Sequence, residues 1–221
     1  MKTDFKAISL YFFLLISCNT NRNTSLNNLV LLYDGKFSLS SAAKNIKLTA
    51  SNNSLVEDGW LLPNSMANNC SIILYLSNPY LFKTNNFLEV QIKTKGLDPF
   101  IFTYSVKEVD SLALQYRKVE AIIKEFVQSA KTNNMEKART VGYSSASQLE
   151  QSFISFVEEF RHSIPPDYKE TQLIGFTIVK DEKNINYLVD AVLTSHNKVQ
   201  KLINVALTQV NGEIKIKEIK F

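Results

Sequence analysis

Few side chains in this sequence stand in a pattern that could do chemistry. Asp190 interrupts the apolar run Leu188-Val189-Asp190-Ala191-Val192-Leu193. An acid among such neighbours has its pKa raised by desolvation and can serve as a general base. Asn186, Leu188, Asp190, Val192 and Thr194 would share one half-polar strand face, however, which points Asp190 toward solvent or an interdomain contact. His162 ends a helical stretch, where its charge suits the helix dipole, and His196 sits in a turn; neither has a catalytic partner in sequence. Glu158-Glu159 belong to a wet helix face. Ser144-Ser145-Ala146-Ser147 reads as a helix start, since a nucleophile elbow needs flanking glycines. No His/Cys/Asp group has metal-ligand spacing, and six glycines leave little room for a phosphate-cradling loop. The expectation is therefore no catalytic residue, no metal and no cofactor. Two aromatic groups could bind a ligand instead: Trp60, after Asp58-Gly59, and Tyr80 with Phe82, after Asn78-Pro79. Exposed rings stack on sugars; the competing expectation is that Trp60 caps a core and Tyr80 and Phe82 pack their loop back on a sheet.

The formal net charge is +4, and the lysines are scattered among acids and asparagines rather than clustered in a stripe, which argues against a nucleic-acid partner. The cysteines are two, Cys18 and Cys70. Cys70 leads into Ser71-Ile72-Ile73-Leu74, and a lone thiol in such a setting is a small buried hydrophobe. Cys18 differs. Before it, Met1 to Lys6 carries Lys2 and Lys6 against Asp4, and Ala7 to Ile16 forms a ten-residue apolar core. That is too short to span a bilayer, which takes about 20 residues, but suits the hydrophobic region of a signal peptide.

The closing residues Leu15-Ile16-Ser17-Cys18 resemble the lipobox of bacterial lipoproteins. The resemblance implies that residues 1–17 are removed as a signal peptide, that Cys18 receives a diacylglyceryl thioether and an acyl group on its freed amine, and that the body is held on a membrane of the cell envelope. Several acyl chains hold firmly where one binds marginally. Asn19 in place of an aspartate implies, by the same analogy, the outer membrane. Residues 18–28, rich in asparagine, Ser and Thr, are expected to be a flexible tether.

The elements expected after the tether divide into a β-rich domain over 29–108 and an α+β domain over 109–221. In the first, strands are expected at Leu29 to Tyr33, Asn45 to Ala50, Gly59 to Leu62, Ser71 to Ser77, Phe87 to Lys95 and Phe100 to Val106. Alternation is clearest where Leu88, Val90 and Ile92 interleave with Glu89, Gln91 and Lys93. Short strands between turn signals suggest an N-terminal antiparallel β-sandwich-like region. With a loop tryptophan it loosely resembles a carbohydrate-binding module.

The period then changes. Tyr116, Val119, Ile123, Phe126 and Ala130 recur at three and four, a helical stripe, with Asp110 as the expected cap. A second helix follows an expected Asn133 cap, and a third begins near Ser147 and carries the core stripe Phe153, Phe156, Val157 and Phe160 until Pro165-Pro166 stops it. Four strands remain: Thr171 to Lys180, Ile185 to Ser195, Lys198 to Val210 and Glu213 to Phe221. Their short connections, ending in the hairpin signal Asn211-Gly212, predict a meander. In the last strand Ile214 and Ile216 change phase with Ile219 and Phe221 across Lys217-Glu218, which predicts either a bulge or a strand bending round a core edge.

Helices followed by a curved antiparallel sheet closing in Val210-Asn211-Gly212-Glu213-Ile214 resemble the NTF2-like, cystatin-related superfamily, and more narrowly its uncharacterised lipoprotein members. The resemblance implies a cone between the long helix and the sheet, whose mouth is a ligand pocket in some members and an active site in others. In enzymatic members a carboxylate or histidine lies inside the cone, and Asp190 is the candidate pocket acid here. The sequence thus leads first to a non-enzymatic, membrane-anchored binding or assembly module with an unknown envelope protein or glycan as partner. A surface glycan binder using Trp60, Tyr80 and Phe82 comes second, and a cone enzyme using Asp190 third.

Overall fold

A computed structural model describes residues 25–42, 44–142, 150–181, 184–197 and 200–221. Cys18 and the residues expected to form a signal peptide and lipobox lie outside them. The described chain is a mixed α+β protein with two four-stranded sheets. It divides into two compact units: the residues up to Pro63 with Cys70–Asp110, and Asn64–Asn69 with Ser111–Phe221.

In unit 1, α1 (25–33) opens the described chain. Strand β1 (Lys36–Ala42) pairs antiparallel with β2 (Asn45–Ser51), and β2 runs parallel to β3 (Phe87–Lys93), which pairs antiparallel with β4 (Phe100–Ser105). Between β2 and β3 the chain forms α2 (Ser54–Glu57), α3 (Pro63–Ser77) and α4 (Pro79–Lys83). A parallel neighbour needs such a crossover, so this region is a mixed sheet with helices and not an antiparallel sandwich. One sheet face is core: Ile46, Leu48, Ala50, Leu88 and Val90 are fully buried.

Three expected strands are corrected. Residues 71–77 belong to α3, where Met66, Ala67, Cys70, Ser71, Ile72 and Leu74 are all buried. A helix buried on all sides loses its 3.6-residue signature, and Ile72-Ile73 bias the reading toward a strand. Residues 29–33 are helical too; Leu29 and Tyr33, four apart, are buried while Val30 and Leu31 are exposed. The helix stops at Asp34, which takes a positive φ of 47°. The tether expectation also contracts, since residues 25–28 lie in this helix and Ser25 is buried. Residues 59–62 form no strand, Asp58-Gly59 being a turn with Gly59 at φ 76°. In their place β1 appears, its Phe37, Leu39 and Ser41 facing Ala50, Leu48 and Ile46; the serines mask an ordinary alternation.

In unit 2, α5 (Val106–Lys131, from Ser111 onward), α6 (Met135–Val141) and α7 (Glu150–Ser163) precede the meander β5 (Tyr168–Lys180), β6 (Ile185–Ser195), β7 (Gln200–Val210) and β8 (Glu213–Lys220). The helical stripe is as expected: Tyr116, Val119, Ile123, Phe126 and Ala130 are buried. The caps move. Ser105 and Glu108 form a capping box, Glu108 Oε2 accepting from the Ser105 backbone N–H at 2.6 Å and Ser105 Oγ accepting from the Glu108 N–H at 3.2 Å. Asp110 instead accepts from the Tyr75 hydroxyl at 2.7 Å. Asn134, not Asn133, caps α6 through the Lys137 N–H. Asn211 and Gly212 both take positive φ, 50° and 85°, which is what the two-residue hairpin requires. The bulge in β8 is present: Ala206 faces Glu218 and Leu207 faces Ile216, leaving Lys217 over, so that Ile216 and Ile219 are both buried.

Candidate functional site

The alternation of β6 settles the environment of Asp190. Tyr187, Val189, Ala191 and Leu193 are buried on one face. That face meets α5: the Tyr187 hydroxyl lies 3.2 Å from Gln115 Oε1, and Phe176, opposite Val189 in the register, packs edge-on against Tyr116 at 5.7 Å. Asp190 lies on the other face, opposite Gly175 on β5 and Asn204 on β7. It is therefore not a residue of the space between the long helix and the sheet, and the pocket-acid expectation is corrected. Its polar row predicted solvent or an interdomain contact; the carboxylate instead meets Ser65 at the start of α3, a residue of the same unit.

Around Asp190 is a constructed polar cluster. Asn204 Nδ2 donates to Oδ1 at 2.7 Å and Ser65 Oγ donates to Oδ2 at 3.1 Å. Burial pushes the carboxyl pKa above its ordinary range, and the two hydrogen bonds, which favour the charged form, offset only part of that. Ser65 comes from the first turn of α3, whose Asn68 and Asn69 donate to the Phe176 and Leu173 carbonyls of edge strand β5 at 2.9 and 3.0 Å. The carboxylate thus anchors the start of α3 to the sheet, with both oxygens engaged. Sequence reasoning missed Ser65, Asn68, Asn69 and Asn204. Each is a polar residue at helical or strand spacing, and only the contact across more than 100 positions gives Ser65, Asn68 and Asn69 their role.

On the α5 side of the sheet, Phe126, Phe160, Phe176, Tyr187, Ile203 and Leu207 are buried and fill the space. A cleft of 310 Å³ remains at one margin, between Phe126, Phe153 and Phe156 and the β8 residues Ile216 to Ile219, with Gly142 at its edge. Gly142 bridges to Ile216. A Cβ there would stand 2.9 Å from the Phe153 ring and 3.0 Å from the Ala138 carbonyl, so glycine is what lets this ring close the cleft wall.

The aromatic candidates of unit 1 separate. Trp60 is 65% exposed and Tyr80 69% exposed, whereas Phe82 is 5% exposed and meets Tyr75 edge-on at 5.1 Å. The expectation that Trp60 caps the core is corrected, because it stands just past the Gly59 turn and before Leu61, the residue that goes inward. Phe82 is structural and offers no face to a ligand. Tyr80 carries the Lys83 ammonium over its ring at 4.5 Å. Cys70 is buried, and burial pushes its thiol pKa up to about 12, with a hydrogen bond to Tyr33 pulling the other way. It is buried, as expected. His162 and His196 are both exposed. Among the described residues no three His, Cys, Asp or Glu side chains come together as a metal-ligating group, and no helix is long and apolar enough to cross a membrane.

No protein-family model matches the chain. No curated protein matches it either. Among solved structures it is similar to that of Bdellovibrio bacteriovorus Bd1075, at 15% identity over 58% of this chain and 49% of that one, with a TM-score of 0.34. The chain spans about half the length of that protein, 49%. At this level of likeness neither fold nor function transfers.

Proposed function

We propose that this chain is a non-enzymatic lipoprotein of a bacterial cell envelope, held on the membrane by an acylated Cys18, with its folded body acting as a binding or assembly module. The observation that carries this reading is the order of residues at the start of the chain: Lys2 and Lys6, ten apolar residues, then Leu15-Ile16-Ser17-Cys18. A segment of that length is cleaved or anchored rather than membrane-spanning, and the cysteine supplies the nucleophile for acylation. Asn19 favours the outer membrane. The partner is an envelope protein or a glycan. Within this reading residues 109–221 are NTF2-like, supported by the order of α5–α7 followed by the β5–β8 meander and its Asn211-Gly212 hairpin. Growth with an alkyne-bearing fatty acid tests the anchor: the wild-type chain takes up the label and Cys18→Ala does not. Label retained by Cys18→Ala sinks the proposal.

Glycan binding through Trp60 is the second reading, supported by the exposure of Trp60 and Tyr80 and no longer including Phe82. Glycan-array binding that survives Trp60→Ala would remove it.

A further inference from the structure

The two sheets treat their edges differently. In unit 2, edge strand β5 has carbonyls taken by Asn68 and Asn69, and edge strand β8 is bridged through Ile216 by Gly142. In unit 1, β4 is an edge strand with the sequence Phe100-Ile101-Phe102-Thr103-Tyr104-Ser105, free of charge and of proline. Edges of this composition are ordinarily blunted by lysine, proline or a covering element, because their unpaired N–H and C=O groups template another strand. Here Ile101 is 58% exposed and Phe100 39% exposed.

The outward groups of β4 can be assigned. The Val106 N–H donates to the Asn86 carbonyl, toward β3, while the adjacent Ser105 N–H points the other way and is taken by Glu108 Oε2. Backbone groups alternate along a strand, so Thr103 and Ile101 also direct their N–H and C=O outward. Pro99, the next in that series, has no N–H. The edge therefore offers complete donor–acceptor pairs at Ile101 and Thr103 only, flanked by a residue without a donor and a residue whose donor is occupied.

That set is self-complementary, and we propose that the β4 edge of one copy pairs antiparallel with the β4 edge of a second, about a two-fold axis at Phe102. In this register Ile101 faces Thr103 of the other copy and the reverse, giving four backbone hydrogen bonds. Pro99 faces Ser105, so the missing donor meets the donor already bound by Glu108. A register centred on Thr103 would instead set Ile101 against Ser105, whose N–H Glu108 already holds, and leave the Ile101 carbonyl without a donor at each end. Side chains agree as well: Phe102 meets its own copy, Phe100 meets Tyr104, and no charge is opposed to a like charge. The two four-stranded sheets join into one eight-stranded sheet with an isologous interface. The pairing is independent of acylation at Cys18.

The test is sedimentation equilibrium of the full chain carrying Cys18→Ser, in density-matched detergent micelles, to roughly 500 μM because an interface of this size falls in the small class. The expected result is a concentration-dependent dimer whose dissociation constant rises at least tenfold with Thr103→Pro, which deletes an outward donor at a position where an edge strand tolerates proline. Ile101→Lys does the same at an exposed side chain, and unchanged near-ultraviolet circular dichroism shows that the fold is kept. Phe102→Cys in the same background oxidises to a disulfide-linked dimer, since directly opposed residues are within disulfide reach, and Ser38→Cys on the opposite edge strand does not. A monomer at every concentration, a dimer indifferent to both edge variants, or a β4 edge that captures a different protein and not a second copy overturns the proposal.

Discussion

Replacing Asp190 by asparagine should not weaken the protein at neutral pH, although it removes a charge that accepts two hydrogen bonds. Asparagine can keep both contacts: its Oδ1 accepts from Asn204 Nδ2, and its Nδ2 donates to Ser65 Oγ, which rotates from donor to acceptor. What is lost is charge assistance, about 1 kcal/mol for each bond. What is recovered is the desolvation cost, which exceeds that assistance, because the carboxyl pKa in the fold lies above its ordinary value of 3.8. A raised folded pKa means that the folded chain holds the proton longer than the unfolded one. Asp190 is therefore without penalty below the ordinary carboxylate pKa and reaches its full penalty above the folded one. Urea unfolding of wild type and Asp190→Asn across pH 4 to 8 should show the variant equal or more stable at pH 8, with its advantage shrinking as pH falls. Asp190→Ala, which leaves Ser65 and Asn204 without an acceptor, should cost about 1–3 kcal/mol at pH 8. An Asp190→Asn variant that is less stable than wild type at pH 8, with the gap closing on acidification, would refute the reasoning, because it would mean that the fold favours the charge.

Three further outcomes follow from the packing. Gly142→Ala should destabilise unit 2 by about 1–3 kcal/mol through the contacts at 2.9 and 3.0 Å, and calorimetry on Gly142→Ala with Phe153→Ala should recover part of the loss by removing the ring. Trp60→Ala should change stability by less than about 0.5 kcal/mol, the surface norm, while Phe82→Ala should cost about 3–5 kcal/mol in the same denaturation assay. Cys70 should resist a thiol reagent at pH 8 in the folded chain and react once urea unfolds it, as its burial and a thiol pKa near 12 require.

How far the sequence carried depended on the range of the interactions. Asn211-Gly212 and the phase change at Lys217 are local, and both were readable because turn chemistry and alternation are set within a few residues. The α5 stripe was readable because one side of that helix stays wet. Helix α3 was not: with Met66, Cys70, Ile72 and Leu74 all buried, its pattern carries no period, and only Pro63 at its first turn hints at a helix. The crossover that makes β2 and β3 parallel was lost with it. At Asp190 the strand face was legible from Asn186, Leu188 and Thr194, but its partners were not. Ser65 is 125 positions away, and nothing near it in sequence announces a carboxylate. The exposure of Trp60 against the burial of Phe82 was equally illegible, because Trp60 follows the Gly59 turn and Phe82 lies in the five-residue helix α4, too short to show a periodic face.

The proposed acylation of Cys18 is tested most directly by mass spectrometry of the N-terminal tryptic peptide of the protein isolated from cells. Cleavage after Arg22 should yield a peptide that begins at Cys18 and carries a diacylglyceryl group on the thiol. A mature chain that begins at any other residue, or a Cys18 peptide with an unmodified thiol, would contradict the account.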